Sequence, residues 1–548
     1  MNAALWLLPI ATPLLGALLL LKGGRRWAPL LWLAPLPALA IAWLPVDVLK
    51  LGWLWPDAQW GITDALATNW LGFTALLWLA ASLFAWQYHK DDAHAARFWG
   101  FWLLTQAGNF LLLIAMDAVS FYVGFTLMSL SAYGLVVHKG GPEPIQAGRL
   151  YVQLAILGEM LVYAALMLRI HESGGSLLLA DWQQSSTTPL TMVLLLVGFG
   201  LKAGFFPLHI WLPLAHPAAP PAASAVLSGA MIKAGILGLW RFLPEQDMSL
   251  MAWSPWLIGL GLFSAFFGVA MGLVQRKVKV ALAYSSISQI GYLLMILGLA
   301  LGDEAGFSSW AGVLILYGVH HGLAKGALFM GAGVIMARRL PRLGWGLMAV
   351  PALALAGLPY TSGAIAKTAL KTGVYDINTI LVTALTLGSL ATTLLVMRII
   401  ALMLATNEGI TTTQKVPLRF WLGWGLLCLA PLLLPWLWPV FIDLRPEAFH
   451  ASALWDQNLP ILLGLIFYGL TMRFVVRPDR FHPRQRLARW LSLTLKNYLQ
   501  PAIPAKDRSG SMRWLKNSQT RTANARWDSV TLSTALMALL LLLAWVLI

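Results

Sequence analysis

Between residues 4 and 21 the chain reads ALWLLPIATPLLGALLLL without a charge, and apolar runs of similar length recur to its end. A run of about 18 or more such residues crosses a bilayer as a helix. Hydropathy gives about sixteen spans, over 3–21, 27–46, 68–87, 98–116, 118–138, 150–169, 189–214, 222–242, 253–274, 279–301, 308–336, 344–375, 378–404, 418–440, 459–476 and 528–548. The first run has neither a basic n-region nor an A-x-A-like cleavage site, so it reads as a retained span and not a removable signal peptide. The expected fold is an all-α polytopic membrane protein.

The polar stretches between the runs set the expected orientation. KGGRR (22–26), QRKVK (275–279), RRLPR (338–342) and the long segment 473–527 are basic and fall in alternate loops, whereas GDEAG (302–306) and EQDMS (245–249) lie in the opposite ones. Lys and Arg collect on the cytoplasmic side, so both termini are expected outside and 473–527 in the cytoplasm of a cell with this chain in its inner (plasma) membrane. Within that segment, 483–500 (PRQRLARWLSLTLKNYLQ) places Leu487, Trp490, Leu491 and Leu495 on one helical face and basic residues on another. It reads as a short interfacial helix, roughly 27 Å long at the helical rise per residue.

Composition narrows the chemistry. The chain is 59% hydrophobic and 11% charged, too little polar surface to cover a soluble core. Its formal charge of +16 would point to nucleic acid in a soluble protein. Here the basic residues sit mostly in loops, so they report topology and no nucleic-acid partner is expected. The single cysteine, Cys428, excludes an internal disulfide and any multi-cysteine iron–sulfur or zinc site. Walker A, dinucleotide and HExxH patterns are absent. No cofactor is expected in this chain, and any redox or nucleotide chemistry belongs to another subunit.

Against this apolar background the buried ionisable groups stand out. Each costs roughly 2.5–3.5 kcal/mol at the centre of a span and is a functional candidate by default. Glu159 lies mid-span in YVQLAILGEMLVYAALML, Lys233 in SAVLSGAMIKAGILGLW, and His320, His321 and Lys325 in LYGVHHGLAKGALFMGAG. Lys202 precedes a helix break in LKAGFFPLHIWLPLAHPAAPP, and Lys367 follows another in LAGLPYTSGAIAK. Any one of them could be a snorkelling or structurally paired group; a series in successive spans reads as a proton relay, because a lysine withdrawn from water releases its proton more readily. The breaks fit that reading. Pro207 frees a backbone carbonyl, and irregular backbone at membrane depth is tolerated only against protein or a hydrated cavity. Two interrupted spans in corresponding positions imply inverted repeats, as in many transporters.

These segments resemble the antiporter-like subunits of the complex I superfamily. LKAGFFPLHIWLPLAHPAAPPAASAVLSGAMIKAG is similar to their most characteristic stretch, KVALAYSSISQIGY (279–292) to their K-x-x-x-A-Y-S-[ST]-x-S-Q-x-G-Y pattern, HGLAKGALFMGAG (321–333) to their H-x-x-x-K helix and GLPYTSGAIAK (357–367) to their second broken helix. The similarity covers about residues 60–405. The wording LHIWLPLAHPAAPP is most similar to the large membrane subunit of formate hydrogenlyase and group 4 hydrogenases. The resemblance implies two inverted five-helix repeats with discontinuous helices, often followed by a lateral helix and a last span. It divides the chain into N-terminal spans (1–115), a first half-channel repeat (116–275), a second (276–405) and C-terminal spans with the interfacial segment (406–548).

Carried over residue by residue, the resemblance makes Lys202 the central proton carrier of its half-channel and Lys233 the lysine of the following helix. His321 and Lys325 form the relay linking the half-channels, and Lys367 is the exit-side lysine. Lys279 matches a lysine at a helix start and reads equally as a cytoplasmic anchor. The family usually has a glutamate in its fifth helix where this chain has Thr126. Glu159, one helix on, is the candidate replacement, expected to approach Lys202 or Lys233 directly or through water, within the ~10 Å over which unbridged coupling stays useful. Tyr317 stands one turn before His321, where some relatives carry a histidine; it can still hydrogen-bond a water chain. His320 either serves there or is a structural donor.

The function expected is a proton-translocating, itself non-catalytic, subunit of a membrane-bound oxidoreductase, driven by redox chemistry in partner subunits. The alternatives are a cation/proton antiporter subunit of Mrp type, or a membrane anchor or ion-coupled subunit of an inorganic-carbon uptake complex.

Overall fold

The computed structural model describes residues 2–23, 30–245, 247–375, 377–410 and 416–475. The expected interfacial helix at 483–500 and last span at 528–548 lie outside the described residues. A compact unit, Met1–Tyr468, contains every side chain discussed below.

A 3₁₀ turn, Ala3–Leu7, leads into α1 (Leu8–Gly23). Among the described residues of the expected span 27–46, the helix covers Leu30–Ile41, with α2 (Leu36–Ile41) as its regular part; Pro35 and Pro37 lack the amide donors of a regular helix. An antiparallel hairpin follows, β1 (Leu49–Lys50) with β2 (Gln59–Trp60), which hydropathy does not announce. Then come α3 (Ala65–Tyr88), α4 (Ala95–Ile114), α5 (Ala118–Val136) and α6 (Pro142–Glu172). Asp64 caps α3 by accepting from Ala67 N at 2.6 Å. Asp117 caps α5 through Ser120 N at 2.7 Å and also accepts the Trp55 indole at 2.9 Å, fixing the hairpin to the helix start.

After α7 (Leu179–Gln184), α8 (Pro189–Ala203) stops at Gly204, whose φ of 72° is the left-handed conformation that glycine adopts freely. The chain continues through an irregular stretch into α9 (Leu212–Ala218) and α10 (Pro221–Val226). A π turn, Leu227–Met231, precedes α11 (Lys233–Phe242). Next, α12 (Ser254–Leu273) and α13 (Val278–Gly302) approach backbone to backbone. A Cβ built on Gly291 would lie 2.4 Å from Gly261 O, so only small residues permit this contact. α14 (Phe307–Ala337) and α13 are almost wholly buried, in keeping with apolar residues on every face. α15 (Arg342–Ala356) stops at Gly357, φ 100°, and α16 (Ser362–Tyr375) begins after a turn. α17 (Thr379–Glu408), α18 (Leu418–Leu437), α19 (Pro439–Ala448) and α20 (Ala451–Val475) complete the order.

The fold is all-α and polytopic. Ten helical spans among the described residues are long and apolar enough to cross a membrane. The expected spans 189–214 and 344–375 are each divided between two helices by the breaks at Gly204 and Gly357.

Candidate functional site

At the first break, the carbonyl of Leu201 has lost its helical partner and accepts the Trp211 indole N–H at 2.7 Å. The ammonium of Lys202 is thereby left to side chains. It donates to Ser129 Oγ at 2.8 Å and to Tyr151 OH at 3.3 Å, and lies 5.6 Å from the centre of the Tyr151 ring. Tyr151 OH in turn donates to Ser129 O at 2.8 Å. The Ser129 hydroxyl also interacts with the Glu159 carboxyl, and Glu159 and Lys202 lie within electrostatic reach of each other. Lys202, Ser129 and Glu159 are all buried. A cavity of about 10 Å³, the room one water needs, is lined by Ser129, Tyr151, Gly158, Gly198, Lys202 and Trp211. Glu159 thus lies near the Ser129 hydroxyl and within reach of Lys202 without a direct ion pair, its Oε1 buried and unpartnered.

The second set surrounds α14. Lys233 Nζ donates to Ser228 O at 3.0 Å, a carbonyl of the π turn, and Ser228 Oγ shares a 2.6 Å hydrogen bond with Ser286. Lys325 Nζ donates to Leu282 O at 3.0 Å. Lys233, His321 and Lys325 lie within electrostatic reach of one another. Both ring nitrogens of His321 are buried without a protein partner, leaving them free for water. His320 Nδ1 pairs with Ser362 Oγ at 2.8 Å and lies within reach of Lys367. Lys279 is no surface anchor: its buried ammonium donates to Ala219 O at 2.7 Å, Ser224 Oγ at 3.1 Å and His216 O at 3.3 Å. At the second break, Lys367 Nζ donates to the freed carbonyl of Ala356 at 2.7 Å. Lys233, Lys279, Lys325 and Lys367 thus each face at least one backbone carbonyl.

The predicted residues thus divide. Lys202 and Glu159 form one group with α5 and α6; Lys233, His321 and Lys325 form another, with His320 and Lys367 beside it. Lys202 and Lys233 share no hydrogen-bond partner, since Lys202 bonds α5 and α6 while Lys233 bonds the π turn. Thr126 does not line the Lys202 cavity; Ser129, one turn further along α5, does. Tyr317 packs its ring 5.9 Å from that of Tyr292. Sequence reasoning passed over Ser129, Tyr151, Trp211 and His216. Ser129 had a usable signal, lying three residues after Thr126 on the same helical face, as did Tyr151, about two turns before Glu159. His216, buried and stacked 4.4 Å from Phe329 and within reach of Lys279 and Lys325, had none beyond its place in the broken segment.

Residues 115–395 match the transmembrane family model described as "NADH:quinone oxidoreductase/Mrp antiporter, TM". Hydrogenase-4 component B of Escherichia coli (strain K12) is 35% identical over 293 residues, 50% of this chain and 43% of that protein, so the match spans less than half of this relative. NADH-quinone oxidoreductase subunit N of Desulforudis audaxviator (strain MP104C) is 31% identical over 381 residues, 63% of this chain and 73% of that one. In fold, the chain is similar to one from the Mrp complex of Dietzia sp. DQ12-45-1b, with a TM-score of 0.69 over 84% of this chain and 99% of that chain at 20% identity.

Proposed function

Because the chain belongs to the NADH:quinone oxidoreductase/Mrp antiporter transmembrane family, we propose that it is the proton-translocating subunit of a membrane-bound oxidoreductase complex in the inner (plasma) membrane. The redox centres belong to partner subunits, and this chain carries no cofactor. A proton enters the first half-channel and rests on Lys202, held by Ser129 and Tyr151 and balanced by Glu159. A change of charge in a neighbouring subunit shifts that balance. The proton then passes to the set around α14, where Lys233, His321 and Lys325 exchange it through water, and leaves by way of His320 and Lys367. Lys279 and His216 connect the same set to the loop between α9 and α10.

The observation that carries this reading is the Lys202 group: a buried ammonium held by two hydroxyls, with a buried carboxyl one hydroxyl away and room for a water. Such a group can change protonation without leaving an isolated charge in the membrane. The test is extraction in mild detergent, mass spectrometry of what copurifies, and proton pumping by the reconstituted complex. Copurifying iron–sulfur subunits and loss of pumping when Lys202 is replaced are the expected results. A complex without redox subunits overturns redox coupling. The antiport reading, favoured by the fold shared with a chain of an Mrp complex, is then tested under an imposed ion gradient, and a copurifying zinc enzyme would favour inorganic-carbon uptake.

A further inference from the structure

Away from the relay, two histidines from separate connections converge on one carboxylate oxygen. His89 ends α3, Asp92 lies in the connection to α4, and His138 lies just beyond α5. With α4 running between them, α3 and α5 finish on the same membrane face. His89 Nδ1 and His138 Nε2 each lie 2.7 Å from Asp92 Oδ2. The other oxygen of Asp92 accepts the His94 amide at 2.8 Å, which fixes the carboxylate's orientation. One ligand-capable atom from each residue falls within 4.8 Å of the others.

We propose that His89, Asp92 and His138 form a divalent-cation site, suited to Zn²⁺, that fastens the α3–α4 connection to the α5–α6 connection. Two imidazoles and a carboxylate are a donor set zinc accepts, with ligand distances of about 2.0–2.2 Å and a fourth position left to water. The histidines are 4% and 6% exposed and the Asp92 side chain 23%, so the pocket is rigid on the protein side and open on the solvent side. The His89 ring is stacked 3.8 Å from Phe98 and perpendicular to that of His138, so the imidazoles are held in place before any ion arrives. Their far nitrogens, His89 Nε2 and His138 Nδ1, have no hydrogen-bond partner. Without an ion, the near nitrogens donate their N–H to the carboxylate; the partnerless far nitrogens can take over those protons, which leaves the near nitrogens bare for a metal. Around a tetrahedral ion the donors stand roughly 3.3 Å apart, so the carboxylate has to withdraw by a fraction of an ångström, which its partly open side allows. Arg97 donates to His138 O at 3.0 Å and Lys139 lies nearby; both bring positive charge that opposes a cation, so binding has to come from the three donors themselves. His89 and Asp92 lie outside the family-matched residues 115–395, and the site stands independently of the proton relay.

The test uses the full chain, purified in detergent without a polyhistidine tag, stripped with a chelator and titrated with Zn²⁺ against a chromogenic chelator. One equivalent is expected to bind. His138→Gln and Asp92→Asn, which keep the size of the side chain, are expected to weaken it by more than the ~10–100-fold that outer-shell changes cost. Failure to bind one equivalent, or equal affinity in both variants, overturns the proposal. Zinc-edge X-ray absorption of the wild-type protein needs no variant: a shell containing imidazole nitrogen supports the site, and an all-oxygen shell overturns it.

Discussion

The two helix breaks solve the same problem in opposite ways. Each frees a carbonyl inside the membrane and each has a lysine beside it. At the first, the Trp211 indole takes the Leu201 carbonyl, and Lys202 turns to Ser129, Tyr151 and the neighbourhood of Glu159. At the second, Lys367 takes the Ala356 carbonyl itself. The halves differ in acids too. Among the described residues, the acids within 276–405 are Asp303 and Glu304, both between α13 and α14, whereas Glu159 lies inside α6. A lysine matched to hydroxyls and an acid can be held charged or neutral by small changes around it. A lysine on a lone carbonyl is a resting place for a passing proton. Under the proposed function, the first break would be the control point and the second a conduit.

Replacing Lys202 should therefore do the most damage. Lys202→Met keeps the volume and removes the titratable group, and translocation by the reconstituted complex should fall on the order of 100-fold, as for loss of an essential proton carrier. An equal or larger loss from Lys367→Met, with Lys202→Met retaining activity, would reverse the comparison. Glu159→Gln comes next. It keeps a polar partner for Ser129 and removes the charge that balances Lys202, so translocation should slow roughly tenfold with assembly unchanged, and the loss should not add to that of Lys202→Met. Full additivity in the double variant would separate the two residues and break the proposed pairing.

The breaks and the buried charges were legible in the sequence because their signals are strong. Proline and glycine inside an apolar run, and lysine where only apolar residues belong, have few structural explanations. The partners were not legible for a matching reason. Ser129 and Tyr151 are ordinary residues of an apolar helix, and the carbonyls that hold Lys233, Lys325 and Lys367 have no side-chain signature at all. The π turn at Leu227–Met231, which supplies the Ser228 carbonyl to Lys233, carries no residue pattern that announces it. The hairpin β1–β2 is too short for any alternating pattern, and residues 42–46 fall outside the helix because a hydropathy sum does not register the amide donors that Pro35, Pro37 and Pro45 lack. Thr126 drew attention by departing from a family pattern, yet the hydroxyl on Lys202 belongs to Ser129, one turn away.

Trp211→Phe would bring the first break closer to the second. The Leu201 carbonyl then loses its donor, at a cost of about 1–3 kcal/mol for a buried unsatisfied acceptor, and becomes a competing acceptor for Lys202. A drop in melting temperature with a few-fold slower translocation is expected. Unchanged stability would mean that the carbonyl finds another donor and that the indole is not what frees the lysine.

The smallest effect is expected at Asp303, where the second half keeps an acid at its edge. Burial alone would raise this carboxyl, but hydrogen bonds from Ala305 N at 2.9 Å, Ser309 Oγ at 2.8 Å and the Trp310 indole at 2.8 Å outweigh it and hold the carboxyl below its ordinary value of 3.8. A lowered folded value means that the ionised form stabilises the start of α14. That contribution is complete above about pH 4 and is lost as pH falls toward and through the lower folded value. Asp303→Asn should cost ~1 kcal/mol or less, because the site is partly open to solvent, and the difference from wild type should shrink as a thermal-unfolding series is carried from pH 7 down to pH 3. Translocation at pH 7 should be unaffected, since the Asp303 carboxylate holds the turn before α14 and its first residues through Ala305, Ser309 and Trp310 and hydrogen-bonds none of the buried lysines. If Asp303→Asn slowed translocation as much as Glu159→Gln, the second half would have its own controlling acid, and the contrast between the two breaks would have to be abandoned.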